Sequence, residues 1–381
     1  MHQTRPSAPF LPILFRQDGK EWAVGDIPSL QICKNISNSK KEPHVKTVYF
    51  RDPTKENIEA AAKIIRDGGL LAIPTETVYG LGADALNEDA VLRIFLAKGR
   101  PQDNPLIVHI ANINALNEIA ADIPDGAYKC AEKFWPGPLT MVLKRTDKIP
   151  ALVSAGLDTV AVRMPSDKTA RDIITASGLP LAAPSANTSG KPSPTSAKYV
   201  IDDLDGKIDA VVMSGDCGVG VESTVITLVT SPPRLLRPGA VTVEQLREIF
   251  PDIVVDKAVL SEPEKGEKVA SPGMKYKHYA PKTETYLVEG DSDSFAEFVN
   301  AKRDAAAVCF SEDGGKVNIP CIFYGTGKDE YTLAHGVFSA LREADTLNKS
   351  AIYVHAPSKS GVGLAVYNRL IRAAAFRVIT L

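Results

Sequence analysis

From residue 47 onward the chain alternates short apolar runs with amphipathic stretches. Ile58, Ala61, Ala62 and Ile65 fall on one face of a predicted helix, with Thr54 as its N-cap and Gly68-Gly69 as its stop. A buried strand is predicted over 70–73. A polar, glycine-bearing loop follows over 75–82, then a short helix ending at Lys98-Gly99 and a strand over 106–110. Helices are predicted over 113–121 and 126–135, the second stopped by Pro136-Gly137-Pro138. Strands over 139–143 and 159–164 and a helix over 168–177 come next. A second polar strand end covers 181–190, followed by a helix over 196–204 and a strand over 208–213. Strands then run from Glu222 through Val229 and over 234–237, and a helix over 243–250 ends the region. Strands and helices mix irregularly, which predicts an α+β domain on a twisted, curved mixed sheet.

The pattern changes twice more. Charges and prolines dominate 256–282, as in an interdomain linker, but aromatic and basic residues alternate within 271–281. From 283 to 381 strands (285–288, 305–309, 320–323, 351–355) alternate with helices (292–301, 330–344, 363–374), the pattern of a small α/β domain with a parallel sheet. Residues 1–46 lack clear periodicity. The organisation read from the sequence is an extension of unassigned role (1–46), a main domain (47–255), a linker or lid (256–282) and a C-terminal domain (283–381).

The totals narrow the function classes. A length of 381 residues allows two or three domains, and 44% hydrophobic with 24% charged residues is ordinary for a globular chain. Net charge is −2, so no global field favours nucleic acid or membrane, and affinity for an anion must come from a local cluster. Cys33, Cys130, Cys217, Cys309 and Cys321 form no metal-spaced pattern and read as reduced, buried thiols, which suits a cytoplasmic location. No apolar run reaches the roughly 20 residues that a membrane span needs.

Candidate chemistry collects at strand ends. Lys98 and Arg100 follow an apolar helix and read either as cationic caps or as anion ligands. The prolines of Arg100-Pro101 and Asn104-Pro105 fix the loop that presents them, which favours the anion. Gly80-Leu81-Gly82 lacks the endings of a phosphate loop or a dinucleotide fingerprint. His109 in an apolar strand fits a core residue or a ligand. Arg163 at a strand end fits a carboxylate clamp or a structural salt bridge. Ser185-x-Asn187, Ser193 between prolines and Glu222-Ser223-Thr224 each have a plain turn or strand-start reading. Together Lys98, Arg100, Arg163 and Arg237 place cations beside neutral hydrogen-bonding groups, as a ligand with several negative charges requires.

The stretches PTETVYGLGADA, KGR, NPLIVHI, WPGPLT, AGLDTVAVRMP, APSANTSGKPSPT, GVESTV and LLRPG resemble the threonylcarbamoyl-AMP synthase (YrdC-like) family. SPGMKYKHYAP and the region after it are similar to its two-domain members, so the resemblance covers about 47–381. It implies a YrdC-like twisted mixed sheet with a basic cavity, a small Rossmann-like C-terminal domain and a linker reaching over the cavity. The implied reaction joins L-threonine, bicarbonate and ATP into L-threonylcarbamoyl-adenylate and pyrophosphate, for threonylcarbamoyl-adenosine in tRNA. Magnesium would accompany ATP, with no protein metal site. A downstream tRNA threonylcarbamoyl-transfer machinery would take the product, and neither membrane nor stable nucleic-acid binding is expected. By the same resemblance Thr77, His109, Arg163, Ala183 and Ser223 contact threonine. Arg100, Asn104, Thr159, Ser185, Ser193, Arg237 and Tyr276 contact the nucleotide, and Lys98 and Asn187 meet phosphates or their magnesium. Lys98 and Arg100 are the catalytic candidates. Two other readings compete. A hydrogenase-maturation carbamoyl-transfer enzyme would need CxxC motifs and an acylphosphatase-like segment, which are missing here. A non-catalytic RNA-binding protein would use the basic cavity without turnover.

Overall fold

The computed structural model describes residues 45–261 and 278–381. The expectations for residues 1–44, for Tyr276 and for most of the proposed lid therefore lie outside the described residues. Helix α1 (Lys55–Arg66) starts at Thr54, whose side chain accepts from the Asn57 N–H, and it buries Ile58, Ala61, Ala62 and Ile65. Helix α2 (Glu88–Lys98) is capped by Asn87 and ends at Gly99 in the left-handed conformation. Among the described residues no helix is long and apolar enough to cross a membrane.

Twelve strands make the main sheet. At its centre lie β4 (Ile107–His109), β7 (Thr159–Arg163), β6 (Leu139–Arg145) and β10 (Thr224–Thr227). Strands β4 and β7 run parallel, with His109 opposite Arg163, while β6 runs antiparallel to β7 with Thr140 opposite Arg163. Side chains alternate faces along each strand. Val108, Val162 and Met141 point to the face covered by α2 and α4 (Asp125–Phe134), where Ile94, Phe95, Ala127 and Cys130 complete the core. Ile107, Ala161 and Val142 share the other face with Val225, Leu236 and Ala258. His109, Arg163 and Thr140 are two residues away from that second set, so they stand on the same face. This face carries the cavity.

The C-terminal sheet is all parallel, in the order β15 (Cys321–Phe323), β14 (Ala305–Cys309), β16 (Ala351–His355), β13 (Glu284–Glu289), β17 (Val378–Thr380). Helices α9 (Glu330–Thr346) and α10 (Gly363–Ala373) bury Val337, Phe338, Leu341, Val366 and Leu370. The same cluster includes Val78, Val221 and Tyr279 from the catalytic side, with the Tyr279 and Phe338 rings 5.2 Å apart. One hydrophobic core is thus shared between the two sheets.

Three expectations change. Residues predicted as a polar loop form strand β3 (Gly80–Asp84), antiparallel to β2 (Leu71–Ile73) and β8 (Leu181–Ala182). Leu81 and Ala83 enter the core while Gly82 lies under Leu181, where a Cβ would sit 3.4 Å from the leucine methyl. The glycines serve close cross-strand packing, one of the two roles that glycine at these positions allows. Residues 113–121 are not one helix but a 3-10 turn (Ile113–Ala115), a helical turn (Leu116–Ile119) and a short strand (Ala120–Ala121). Strand β17 lay outside the predicted pattern.

The loop before β10 meets α9 backbone to backbone. Gly220 has φ +85°, and a Cβ there would lie 2.4 Å from the Ala334 carbonyl oxygen and 2.4 Å from the His335 Cα. Gly178 has φ +71° with open space around its Cβ position. A left-handed alanine costs about 1–2 kcal/mol by itself, and overpacking adds about 1–3 kcal/mol. Gly220→Ala should therefore lower the denaturation midpoint clearly more than Gly178→Ala. Equal losses for the two variants would show that the domain contact at Gly220 carries no constraint.

Candidate active site

The cavity encloses about 740 Å³ of space not filled by atoms, part of it open to solvent. Its walls come from the β2–β3 loop, the end of α2, the ends of β4 and β7, the loop after β8, the segment before β10 and His278-Tyr279. Of the residues singled out in the sequence, Thr77, Lys98, Arg100, His109, Arg163, Ala183, Ser185, Asn187, Ser193, Ser223 and Arg237 line it together. Asn104 and Thr159 are not on its wall. The carbonyl oxygen of Asn104 accepts from Arg100 Nε at 3.3 Å, so Asn104 meets the site through its backbone. Thr159 begins β7, at the opposite end from Arg163, and faces a separate surface depression with Asp158 and Lys144.

At one end the Arg163 side chain is buried, with 4% exposure. Its Nη1 donates to Thr77 Oγ1 at 2.9 Å, and its Nη2 lies 2.7 Å from Glu76 Oε1 in a close but poorly aligned ion pair. The Thr75 hydroxyl donates to the Val78 carbonyl at 2.6 Å and lies 2.9 Å from Thr77 Oγ1, which turns the Thr77 lone pairs toward Arg163. Arg163 thus forms the salt bridge of one of its two readings, and it also lines the cavity. Burial pushes the Glu76 carboxyl up, but Arg163 outweighs it and holds the group below its usual range. Burial, then the Arg163 charge, pushes His109 down to about 3, so the imidazole is neutral at physiological pH.

The other end is cationic. Lys98 is buried, and its ammonium donates to the carbonyls of Ser185 and Asn187. Burial, then Arg100, holds its pKa well below the ordinary lysine value. Arg100 Nη2 donates to the Pro105 carbonyl at 3.0 Å. The Ser185 hydroxyl donates to Asn187 Oδ1 at 2.6 Å, and Asn187 Nδ2 donates to the carbonyls of Thr188 and Lys191. The turn reading of this segment is therefore correct, and the turn itself forms cavity wall. Arg237 donates to the carbonyl and hydroxyl of Ser223 at 3.0 and 3.1 Å, while the Ser223 hydroxyl lies 2.7 Å from that of Thr140.

Sequence reasoning missed Glu222, which lines the cavity and accepts from the Ser193 hydroxyl at 2.5 Å. It also missed Glu76 behind Arg163, and Arg369 of α10, fully buried against Glu222. A signal for Arg369 existed. Ala365, Asn368, Arg369 and Arg372 share one face of an amphipathic helix, and charged residues on a second face can serve a docking surface.

Comparison with known proteins agrees with this geometry. A family model described as telomere recombination matches residues 63–239, and one described as threonylcarbamoyl-AMP synthase, C-terminal domain, matches residues 241–375. The chain is 46% identical over 330 residues to a Pyrococcus abyssi protein named threonylcarbamoyl-AMP synthase, covering 84% of this chain and 95% of the relative. It is 43% identical to a Bacillus subtilis protein of the same name, covering 87% and 98%. The crystal structure of P. abyssi Sua5 complexed with L-threonine superposes with a TM-score of 0.80 at 42% identity, covering 88% of this chain and 99% of that one. The fold is accordingly a YrdC-like α+β sheet joined to a Rossmann-like parallel domain, as the sequence predicts. The chain belongs to the threonylcarbamoyl-AMP synthase family and carries both of its domains.

Proposed function

We propose that this threonylcarbamoyl-AMP synthase performs its whole reaction inside the cavity between Arg163 and Lys98, with threonine at the first end and ATP at the second. The observation that carries the reading is a single cavity with two differently charged ends. At the Arg163 end a buried guanidinium is partnered by Glu76, beside a neutral imidazole and two hydroxyls. That suits an amino acid, whose carboxylate takes a forked pair of charge-assisted bonds from Arg163. Thr77, His109, Ala183 and Ser223 would shape the pocket for the rest of threonine. At the other end Lys98, Arg100 and Arg237 converge with Ser185, Asn187 and Ser193. That suits a triphosphate.

The chemistry needs no protein nucleophile. Threonine's neutral amine and bicarbonate form a carbamate with loss of water, and a carbamate oxygen attacks the α-phosphorus. The new O–P bond replaces the bond to pyrophosphate, which leaves with the electron pair. The protein's share is to align the two substrates and to stabilise charge as it shifts onto the leaving group. Arg100 and Arg237 are placed for the second task. Lys98 adds buried charge and fixes the 185–187 turn through its two carbonyl contacts. His109 acts as a neutral hydrogen-bonding wall and adds no second positive charge beside Arg163.

Magnesium would arrive with ATP. Among the described residues no cluster of three His, Cys, Asp or Glu side chains could hold a metal ion. A hard cation held mainly by phosphates and water fits such a wall, with Ser185 and Asn187 as neutral oxygen donors nearby. Its charge would offset phosphate charge. The product is proposed to pass to a separate transfer machinery acting on tRNA in the cytoplasm. A non-catalytic RNA-binding role has no support in the chain's charge or its relatives.

Pyrophosphate release from ATP should require both threonine and bicarbonate, each omitted in turn; equal release without threonine would overturn the reading. Arg163→Ala removes charge-assisted bonds worth about 1.5–3 kcal/mol, a roughly 10- to 150-fold loss of threonine affinity by calorimetry. ATP affinity should move far less, and an equal fall in both would end the assignment. His109 supplies a pH test. Its folded pKa lies below its unfolded value, so the unfolded chain binds the extra proton between about 3 and 6.5. The stabilisation is complete above 6.5 and is lost as pH falls toward 3, at about 1.4 kcal/mol per pH unit. His109→Gln should remove about one proton from the acid slope of unfolding free energy. An unchanged slope would mean that the imidazole is already charged in the fold.

A further inference from the structure

We propose that Arg369 of the C-terminal domain is a positioning residue for the nucleotide end of the cavity: it ties up the Glu222 carboxylate so that Arg237 stays available to the phosphates. The inference rests on the placement of ATP given above and assigns the second domain a part in the site.

Arg369 has no exposed surface, and its donors are spent on the catalytic domain. Nε donates to Glu222 Oε2 at 2.9 Å, Nη2 to the Glu222 carbonyl at 3.0 Å and Nη1 to the Pro238 carbonyl at 2.6 Å. Two further contacts, to Asn368 Oδ1 and the Ala365 carbonyl, lock the side chain to its own helix. The flanking residues reinforce the docking. Asn368 Nδ2 donates to the Val259 carbonyl and Arg372 Nη2 to the Ala258 carbonyl, both at 2.6 Å.

Glu222 is the reason such a residue is needed. Its carboxylate lies on the cavity wall between Ser193 and the start of β10, where a polyanion would be repelled by an unpaired negative charge. Burial pushes its carboxyl up, but Arg369 first and Arg237 second hold it ionised below its usual range. Arg237 therefore feels the Glu222 charge while it donates to the carbonyl and hydroxyl of Ser223. Without the Arg369 contacts, Arg237 is the other cation whose charge acts on the buried carboxylate. Breaking a buried pair leaves a charge that finds another partner or is neutralised. A pairing of Glu222 with Arg237 would set carboxylate against phosphate for the same guanidinium.

The test uses the full-length chain and reads ATP and threonine separately. Arg369→Met should weaken ATP binding by about tenfold or more in calorimetry and raise KM for ATP correspondingly. Threonine affinity should stay within about threefold, a difference too small to signal loss of a charged contact. Arg369→Lys keeps the charge without the fork and should fall between wild type and Arg369→Met. The decisive variant is the double substitution Arg369→Met with Glu222→Gln. It removes the competing charge while keeping an acceptor for Ser193, and it should recover most of the lost ATP affinity. A double variant as weak as Arg369→Met would overturn the proposal in favour of simple domain docking, as would unchanged ATP affinity in Arg369→Met. Should Arg369→Met fail to fold, the comparison of Arg369→Lys with Arg369→Lys/Glu222→Gln decides in the same way. Omission of threonine from the wild-type assay tests the placement of the reaction itself. Failure there leaves the ATP-affinity comparison standing.

Discussion

Positive charge held out of water sets the terms for the structure around the cavity. Lys98, Arg163, Arg237 and Arg369 have exposures of 2%, 4%, 7% and 0%. Burying one ion without partners costs several kcal/mol even after relaxation, so each must be surrounded by acceptors. The local structure follows from how each one is satisfied. Lys98 draws the carbonyls of Ser185 and Asn187 inward and so shapes the turn after β8. Arg163 holds Glu76 and Thr77 and so fixes the β2–β3 loop. Arg237 clasps Ser223, and Arg369 clasps Glu222 from the other domain.

The same constraint accounts for the domain arrangement. The apolar part of the interface alone, with Val78, Val221 and Tyr279 entering the cluster of α9 and α10, would hold the sheets together. Charged groups add direction to that adhesion. Arg342 of α9 meets Asp203 at 2.9 Å and lies over the Tyr199 ring, and Asp345 accepts from Thr283. A misdocked domain would leave Arg369 buried without its acceptors and strip Asp203 and Glu222 of their arginine partners, a far larger penalty than a slipped apolar contact. Polar pairing therefore selects one orientation, and the orientation backs Glu222 and Arg237 on the cavity wall.

Much of this was legible along the chain. The cap at Thr54, the buried face of α1 and the strand carrying His109 follow from local periodicity, which the backbone obeys directly. The alternation Ile107–His109 and Ala161–Arg163 already puts imidazole and guanidinium on one sheet face. The illegible parts depend on contacts far apart in sequence. Glu222 looked like a strand start because its partner lies 147 residues later. Gly80-Leu81-Gly82 read as part of a loop because the neighbours that make it a strand and demand small residues, Leu71 and Leu181, come from strands on either side. Asn104 illustrates a different limit: a motif position can be fixed by its carbonyl, which no side-chain reading detects.

The distribution of counter-charge makes the two ends of the cavity chemically unlike. At the Arg163 end the guanidinium is already partnered by Glu76, and the neighbouring imidazole stays neutral because Arg163 and burial both oppose its proton. The net field there is weak. A single carboxylate can share the guanidinium, whereas a triphosphate would meet the Glu76 charge with little cationic return. At the Lys98 end the carboxylate on the wall, Glu222, is spoken for by Arg369, and Lys98 and Arg237 donate to neutral carbonyls and a hydroxyl. In such a low-dielectric wall each added negative charge on a ligand gains more than it would in water. An amino acid in that position would neutralise a fraction of the cationic charge and leave the rest unsatisfied. The contrast between the two ends thus follows from how their wall carboxylates are paired, and the domain that supplies Arg369 contributes to it.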